Sequence, residues 1–300
     1  MASTGAHIEE FQRHRPKLMG IAYRMLGSVH DAEEVLQDAW LRWQPQDRLA
    51  IESSEAWLVT ATTRLALDRL RRARTEREHY VGPWLPEPLP EEEAQVTPHA
   101  LAERADDLSL SFMLLLERLN PDERAAFLLH DVFDLDYPRI AAMLEQTEAT
   151  CRQRVHRARQ KLREDRTQRK VDQQTVARLL ERFARALAEP TDEVLGQLLA
   201  EDAMLFSDGG GIRRAALRPL YGRERLTRMY KQLALLRRLE DWRVETLHGE
   251  SVLVVNEGGK LGWIAWIHTD GERILAIHSV LNPEKLSRPI FVTNRESRAS

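Results

Sequence analysis

Five prolines fall between Tyr80 and His99, and this segment limits the folds open to the chain more than any other feature. Proline lacks a backbone N–H and its ring collides with the preceding helical turn, so no regular helix can run through the segment. Proline-rich chains are extended and semi-rigid instead. We therefore predict a linker over residues 80–100 that separates two folded parts. The prolines are Pro83, Pro86, Pro88, Pro90 and Pro98.

Hydrophobic periodicity predicts helices on both sides of this linker. Leu18, Ala22 and Met25 recur at helical spacing, and residues 1–79 are predicted to form an all-helical domain. Beyond the linker, Asn120-Pro121 offers a capping side chain followed by proline at the first helical position. Residues 101–170 are therefore predicted to form a second helical domain.

The pattern changes after Val171. One amphipathic helix covers residues 176–187, and strand-like runs punctuated by Gly258-Gly259 and Asp270-Gly271 follow it. These two breaks are typical of hairpin turns. We predict an α+β domain over residues 171–289 and a tail over residues 290–300. The strand-like runs are 203–206, 242–247, 251–256, 261–268 and 273–281.

Composition narrows the class of protein. The chain has 300 residues, of which 43% are hydrophobic, which suits two or three domains with apolar cores. No apolar run approaches the roughly 20 residues that cross a bilayer. The single cysteine, Cys151, excludes an intrachain disulfide and a cysteine-based zinc site. The N-terminus shows no secretion signal, and we expect a cytoplasmic protein without membrane contact.

Basic and acidic blocks alternate although the net charge is only −3. Residues 64–77 hold six arginines, and residues 147–170 hold nine lysines or arginines. Residues 87–107 between them hold seven acids against Arg104 alone. Such blocks usually form solvated surfaces, but two arginine-rich helices in one chain favour contact with phosphates.

Residues 136–162 have the pattern of a helix-turn-helix. Cys151, Val155, Ala158 and Leu162 form a narrow apolar stripe on the second helix, and polar side chains occupy the opposite face. Arginine reads guanine and glutamine reads adenine in the major groove, while flanking arginines hold phosphates. The alternative is an ordinary charged surface helix. The predicted DNA-binding residues here are Arg152, Gln153, Arg154, His156, Arg157 and Arg159.

The segments 136–141 and 154–162 resemble region 4 of extracytoplasmic-function (ECF) sigma factors, which reads the promoter −35 element. The family often has glycine in the turn, where this chain has Glu145. A helix-turn-helix accommodates that residue if its backbone avoids positive φ.

The N-terminal domain resembles region 2 of the same family. Residues 31–40 match the helix that docks on the clamp helices of the polymerase β′ subunit, and residues 57–72 match the helix that melts and reads the −10 element. The family usually has asparagine at the position of Arg64. The resemblance assigns polymerase binding to Asp31, Glu34, Gln37 and Asp38, and −10 DNA binding to Arg64, Asp68, Arg69, Arg71 and Arg72.

Three further motifs are similar to signatures of the SigJ-type subgroup, whose members carry a fused SnoaL-like domain. The first motif lies in the linker, the second follows the strand-like run 203–206, and the third follows the last strand. They imply a regulatory interface between the linker and the C-terminal domain. Its residues are Trp84, Leu85, Pro86, Glu87 and Pro88; Asp208, Gly209, Gly210 and Gly211; and Asn282, Pro283, Glu284, Lys285 and Leu286.

The resemblance as a whole implies two all-α sigma domains followed by an α+β SnoaL-like cone. The expected partners are core RNA polymerase, through its β′ clamp helices and β flap, and promoter DNA. The C-terminal domain is expected to regulate the chain in cis, on an unidentified small-ligand or protein signal. We expect no catalytic residues, no cofactor and no metal.

The sequence is also compatible with two other functions. The chain is alternatively a one-component regulator, in which the helix-turn-helix is controlled by a ligand-binding cone and does not engage polymerase as sigma. A second alternative is an enzyme of the polyketide-cyclase type, with a pocket lined by Asp208, His248, His268 and His278. Docking to core polymerase favours sigma over the first alternative, and a hydrogen-bonded His–Asp pair favours the second.

Overall fold

The computed structural model describes residues 2–47, 50–90, 108–165, 171–236 and 241–291. The chain divides into two compact units. The first contains Met1–Glu78 and Glu92–Thr167, and the second contains His79–Glu91 and Gln168–Ser300. The first part of the predicted linker thus belongs to the C-terminal unit. The predictions for residues 91–107, 166–170 and 292–300 lie outside the described residues.

The first unit begins with three helices: α1 (Ala2–Leu26), α2 (Val29–Trp43) and α3 (Ser54–Glu78). Gly27 has a φ of 68° and separates α1 from α2. Ser28 caps α2 by accepting a hydrogen bond from the Asp31 amide. The apolar faces of the three helices meet in a common core that includes Leu18, Leu36 and Leu58.

The same unit continues with α4 (Leu110–Leu116), α5 (Pro121–Phe127), α6 (Tyr137–Leu144) and α7 (Glu148–Asp165). The predicted start at Asn120-Pro121 is confirmed: Asn120 caps α5, and Glu123 completes a capping box. A π-helical turn at Leu128–Val132 follows α5. Sequence periodicity gave no sign of this turn.

The two helical halves pack as one unit through buried arginines. The Arg124 side chain is buried, and its Nε donates to the Arg24 carbonyl at 2.9 Å. The Glu117 carboxylate binds both Arg124, at 2.5 Å, and Arg77. Arg77 also donates to the Leu26 carbonyl at 2.5 Å. Buried charges are tolerated when they are paired and hydrogen-bonded in this way.

After the segment His79–Glu91, the second unit continues with α8 (Gln173–Ala188) and α9 (Asp192–Leu198). It continues with β1 (Leu199–Asp208), β2 (Leu220–Tyr221), α10 (Arg223–Leu236), β3 (Asp241–Leu247), β4 (Glu250–Glu257), β5 (Lys260–Thr269) and β6 (Ile274–Val280). The strands form one sheet in the order β2-β1-β6-β5-β4-β3. Among the described strands, β1 and β6 alone pair in parallel. The hairpin predicted at Gly258-Gly259 is confirmed, because both glycines have positive φ between β4 and β5.

The two faces of this sheet differ. Leu205, Ala265 and Ile277 belong to the hydrophobic core that the helices α8, α9 and α10 cover. Alternate side chains point the other way, as strand geometry requires. Trp263 packs against that core, whereas Trp266 lies in register with His278 outside it, so the two tryptophans lie on opposite faces of the sheet.

Within the described ranges, no helix is both long and apolar enough to span a membrane.

Candidate nucleic-acid interface and linker clasp

Helices α6 and α7 form the predicted helix-turn-helix. Asp136 caps α6 by accepting from the Arg139 amide at 3.1 Å, and Thr147 accepts from the Thr150 amide at the start of α7. Between them, Glu145 has φ 54° and ψ 48°. The condition for a turn without glycine, a backbone that avoids positive φ, is therefore not met. Glu145 occupies the left-handed conformation that glycine adopts without strain.

Helix α7 has the predicted division into a buried stripe and an exposed face. Cys151, Val155, Ala158 and Leu162 are buried. The opposite face of the helix is open to solvent along two turns. Its exposed residues are Gln153, His156, Arg157 and Gln160.

Three arginines beside this face are held by other side chains of the unit. Arg152 pairs with Glu148 at 2.5 Å, and its guanidinium carbon lies 5.2 Å from the centre of the Tyr137 ring. Arg154 binds Asp122 at 3.1 Å and also contacts Gln146. Arg159 makes two hydrogen bonds to Asp131, at 2.8 and 2.7 Å.

Arg64 of α3 is engaged within the same unit. Arg64 donates to the carbonyls of Met143 and Ala142, at 2.8 and 3.0 Å, and thereby caps the C-terminus of α6. It also pairs with Glu145 at 3.0 Å. These contacts join the two segments that the sequence assigned to different promoter elements.

Of the other predicted DNA-binding residues of α3, some form ion pairs within the protein and one is exposed to solvent. Arg71 pairs with Asp122 at 2.9 Å and with Asp68 at 3.3 Å. Arg69 binds Asp31 and Glu76, each at 2.8 Å. Arg72 is exposed on the surface of the helix.

The predicted docking face of α2 needs one correction. Asp31 is buried, and Arg69 donates to its Oδ1 atom through Nε and Nη2, at 3.0 and 2.8 Å. Asp31 therefore does not face outward, because it is the partner of a charge on α3. Glu34, Gln37 and Asp38 are exposed on one stripe of α2, as predicted.

The second unit contains a clasp, which we define as Asp208 with the linker and C-terminal groups that bind it. Asp208 ends β1 and is fully buried. Its carboxylate accepts hydrogen bonds from the Tyr80 hydroxyl at 2.6 Å and from the Leu85 amide at 2.9 Å. The Lys285 ammonium lies 2.7 Å from Oδ2, and the Gly210 amide donates to Oδ1 at 3.1 Å.

Lys285 and Asn282 complete the clasp from the segment after β6. The Nζ of Lys285 donates to the Leu85 carbonyl at 2.5 Å and lies 4.3 Å from the centre of the Trp84 ring, a cation–π contact. The Nδ2 of Asn282 donates to the Tyr80 hydroxyl at 3.1 Å. Burial, together with the Asp208 carboxylate, raises the pKa of Tyr80.

The glycine run permits the close approach of these segments. Gly210 has a φ of 61°, and a Cβ added there would lie 2.3 Å from Nδ2 of Asn282. Gly211 has a φ of 72°, and its added Cβ would meet the Val81 side chain at 3.2 Å. The run is therefore a packed turn whose backbone contacts its neighbours, and larger residues would push these neighbours away.

The linker is also held at its other end. The Nε2 of His248, in the β3–β4 turn, donates to the Leu89 carbonyl at 2.8 Å, and residues 85–90 are buried. Leu85 and Leu89 are thus attached near β1 and near the β3–β4 turn. The linker therefore crosses the sheet.

The four residues of the alternative catalytic pocket do not form one site. His268 and His278 are in edge-to-face contact with ring centroids 5.2 Å apart, and Phe206 stacks on His278 at 4.9 Å. Burial, and the neighbouring His268, lower the pKa of His278 to about 3. The Asp208 carboxylate is occupied by the clasp, and His248 holds the linker. Among the described residues, no cluster of three or more metal-ligating side chains occurs.

Family comparisons agree with both helical segments. The family described as Sigma-70 region 2 matches residues 11–76, and the family described as Sigma-70, region 4 matches residues 109–162. The second match spans the helix-turn-helix, and the first spans most of α1 to α3.

Whole-chain relatives are similar over more of the sequence. The ECF RNA polymerase sigma factor SigJ of Mycobacterium tuberculosis is 36% identical over 222 residues, which cover 74% of this chain and 71% of that protein. The probable ECF RNA polymerase sigma factor SigI of the same species is 35% identical over 161 residues, 52% of this chain and 54% of SigI. The crystal structure of M. tuberculosis SigJ superposes with a TM-score of 0.69 at 30% identity, covering 94% of this chain and 99% of that one.

The SigJ structure supports a SnoaL-like architecture for the sheet and helices that follow the two sigma regions. With an extensive match to SigJ and with regions 2 and 4 both present, the chain belongs to the extracytoplasmic-function family of RNA polymerase sigma factors, which direct promoter-specific transcription initiation.

Proposed function

We propose that α7 reads the −35 element through Gln153, His156 and Arg157, with Arg152, Arg154 and Arg159 holding the phosphates on either side. The single observation that carries this assignment is the contrast between the two sets. The three central side chains are exposed on one face, whereas the flanking arginines are oriented by Glu148, Asp122 and Asp131. Exposed side chains that can contact base edges, with oriented arginines on either side, match a major groove that is bordered by two phosphate backbones.

We further propose that α3 binds the −10 element with Arg64, Asp68, Arg69, Arg71 and Arg72. Arg64 and Arg71 are held by α6 and by Asp122 in this structure. Their use on DNA therefore requires that region 4 leaves α3. The opened form would present their guanidinium groups to the melted strand, where cations follow the backbone.

The polymerase dock is assigned to the exposed stripe of α2, with Glu34, Gln37 and Asp38 facing the β′ clamp helices. Asp31 acts indirectly, since its pair with Arg69 fixes α2 against α3. Region 4 would reach the β flap. Complementary charge at such a dock speeds encounter and rejects other partners.

The clasp is assigned the role of a regulator in cis. The linker joins regions 2 and 4 along the chain, so a domain that grips residues 80–90 controls how far the two regions can separate. Asp208 carries this proposal because its single carboxylate binds Tyr80, Leu85 and Lys285 together. A signal or polymerase would select a minor form in which the clasp is open.

We propose no chemical reaction for the SnoaL-like domain. The buried Asp208 carboxylate at the end of β1 is committed to the clasp, and His268 and His278 pack against each other, with Phe206 stacked on His278. The chain would act with core polymerase in the cytoplasm.

Transcription from a genomic fragment library by purified core polymerase and this protein tests the assignment. We expect core-dependent transcripts from a limited set of promoters. Footprints on these promoters should weaken when Gln153 or Arg157 is replaced by alanine, whereas Arg182→Ala, on the exposed face of α8, serves as the control. Specific footprints without core-dependent transcripts would favour a one-component regulator instead.

A further inference from the structure

The π-helical turn Leu128–Val132 places two side chains beside the second helix of the helix-turn-helix. Its residues His130 and Asp131 are half-buried and lie next to α7. A π-turn redirects the side chains that follow it, and such turns are frequent at functional sites. Neither residue belongs to the DNA-contacting set that the sequence predicts.

Asp131 holds Arg159 in a side-on, two-bond geometry. The Nε of Arg159 donates to Oδ2 at 2.8 Å, and its Nη2 donates to Oδ1 at 2.7 Å. Two parallel bonds fix the plane of a guanidinium, and the Nη1 edge still carries two N–H donors. The Arg159 side chain is 45% exposed, so the group is fixed but accessible.

The Asp131 carboxylate is charged at neutral pH. Burial acts to raise its pKa, but the hydrogen bonds from Arg159 and from His130, whose Nδ1 lies 2.7 Å from Oδ1, outweigh burial and lower the pKa. An ionised carboxylate beside a DNA-binding helix repels phosphate, so its field alone opposes binding.

Arg152, at the other end of the exposed face, is connected to the same turn. The His130 ring lies 4.4 Å from the Tyr137 ring, and Arg152 packs over Tyr137. The two arginines are seven residues apart in the sequence, which is about 10 Å along the axis of a helix and nearly the same side of it.

We infer that Asp131 is a positioning residue for promoter binding, which holds the Arg159 guanidinium in the orientation that contacts a DNA phosphate. The inference rests on the proposed role of Arg159. A free arginine loses rotamer entropy when it binds, and a preoriented one loses less. If Asp131 mainly orients Arg159, its removal should weaken DNA binding. If Asp131 mainly repels phosphate, its removal should strengthen DNA binding.

Fluorescence anisotropy of the full-length protein on promoter DNA and on a scrambled duplex, over a range of salt concentrations, tests this inference. We expect Asp131→Ala to weaken binding to both duplexes by about twofold to tenfold. The slope of log K against log salt should fall towards that of Arg159→Ala. Asp131→Asn keeps one acceptor and should lie between Asp131→Ala and the parent. In the Arg159→Ala background, Asp131→Ala should no longer weaken binding.

Asp134→Asn is the matched control, because it removes the same charge from an exposed residue nearby. It should leave binding unchanged or tighten it slightly. The inference would be overturned if Asp131→Ala or Asp131→Asn tightened DNA binding as the control does. It would also be overturned if Asp131→Ala weakened binding equally in the parent and in the Arg159→Ala background. If Arg159→Ala alone binds as the parent does, the phosphate role of Arg159 fails as well. Far-UV circular dichroism of each variant checks that the helices are intact.

Discussion

The Nζ atom of Lys285 lies 2.7 Å from Oδ2 of Asp208, and the Asp208 side chain is fully buried in the C-terminal unit. Lys285 is nearly as inaccessible, with 10% of its side chain exposed. The same carboxylate also accepts the hydroxyl of Tyr80 and the amide of Leu85, so one ion pair attaches the linker to the sheet.

Breaking this pair should destabilise the protein strongly. Asp208→Ala leaves the Lys285 charge buried without its partner, and we expect a loss of about 3–5 kcal/mol in the free energy of unfolding. The double variant Asp208→Ala/Lys285→Met should recover part of this loss, since no lone charge is left buried. Urea denaturation followed by circular dichroism measures both. Glu245→Ala breaks the half-exposed pair with Arg243, which lies largely in solvent compared with the clasp, and should change stability by less than about 1 kcal/mol.

Alkaline pH should release the linker through Tyr80. Burial and the Asp208 carboxylate raise the pKa of the Tyr80 hydroxyl in the folded chain above the unfolded value of about 10. Stability from this group is therefore complete below about pH 10 and is lost as the pH rises towards the folded pKa. The difference in unfolding free energy between the parent and Tyr80→Phe should be constant at neutral pH and shrink above about pH 10. A difference that stays constant up to pH 11 would contradict the stated environment of the hydroxyl.

Glycine at position 145 should stabilise the helix-turn-helix. Glu145 has φ 54°, a conformation that costs a non-glycine residue roughly 1–2 kcal/mol. Its ion pair with Arg64 is on the surface and offsets little of this cost. We expect Glu145→Gly to raise the melting temperature and Glu145→Ala not to raise it, because alanine keeps the strain. Differential scanning calorimetry compares the two, and a Glu145→Gly protein that melts below Glu145→Ala would refute the argument.

Reversing charge on the outer stripe of α2 should abolish polymerase binding. We expect Glu34→Lys/Asp38→Lys to lose pull-down of core enzyme while it remains folded, since reversed charges at a docking helix cost several kcal/mol. Glu189→Lys/Glu224→Lys makes the same change of charge at exposed positions of the C-terminal unit and should bind normally. Asp31→Asn should instead lower stability, because it breaks the pair with Arg69.

Local sequence patterns predicted many of the helices and turns. They did not predict which residues far apart in the sequence form hydrogen bonds or ion pairs. The buried stripe of α7, the Asn120 cap and the Gly258-Gly259 hairpin were predicted because each depends on residues close together in the sequence. The φ of Glu145 could not be predicted, because the φ of a turn residue depends on how α6 ends. Asp31 was misjudged because its partner, Arg69, is 38 residues away.

The clasp shows the same limit. Family resemblance pointed to the three motifs that form it, but periodicity says nothing of which atoms meet. Tyr80 is 128 residues from Asp208, and its role was not predicted. The engagement of Arg64 with α6 was likewise missed, since an arginine on an exposed helical face has the same pattern whether it binds DNA or a carbonyl.

The most direct test of cis regulation is run-off transcription from a cognate promoter with core polymerase and four proteins: the parent, Trp84→Ala, Asp208→Ala and the double variant. Trp84 packs against Lys285, and Asp208 pairs with the same ammonium, so both substitutions act on one clasp. We predict that each single variant changes transcript yield, that the double variant is not additive, and that small-angle scattering shows regions 2 and 4 farther apart in the altered proteins. Folded variants that transcribe at the parent's level and keep its dimensions would contradict regulation through the linker.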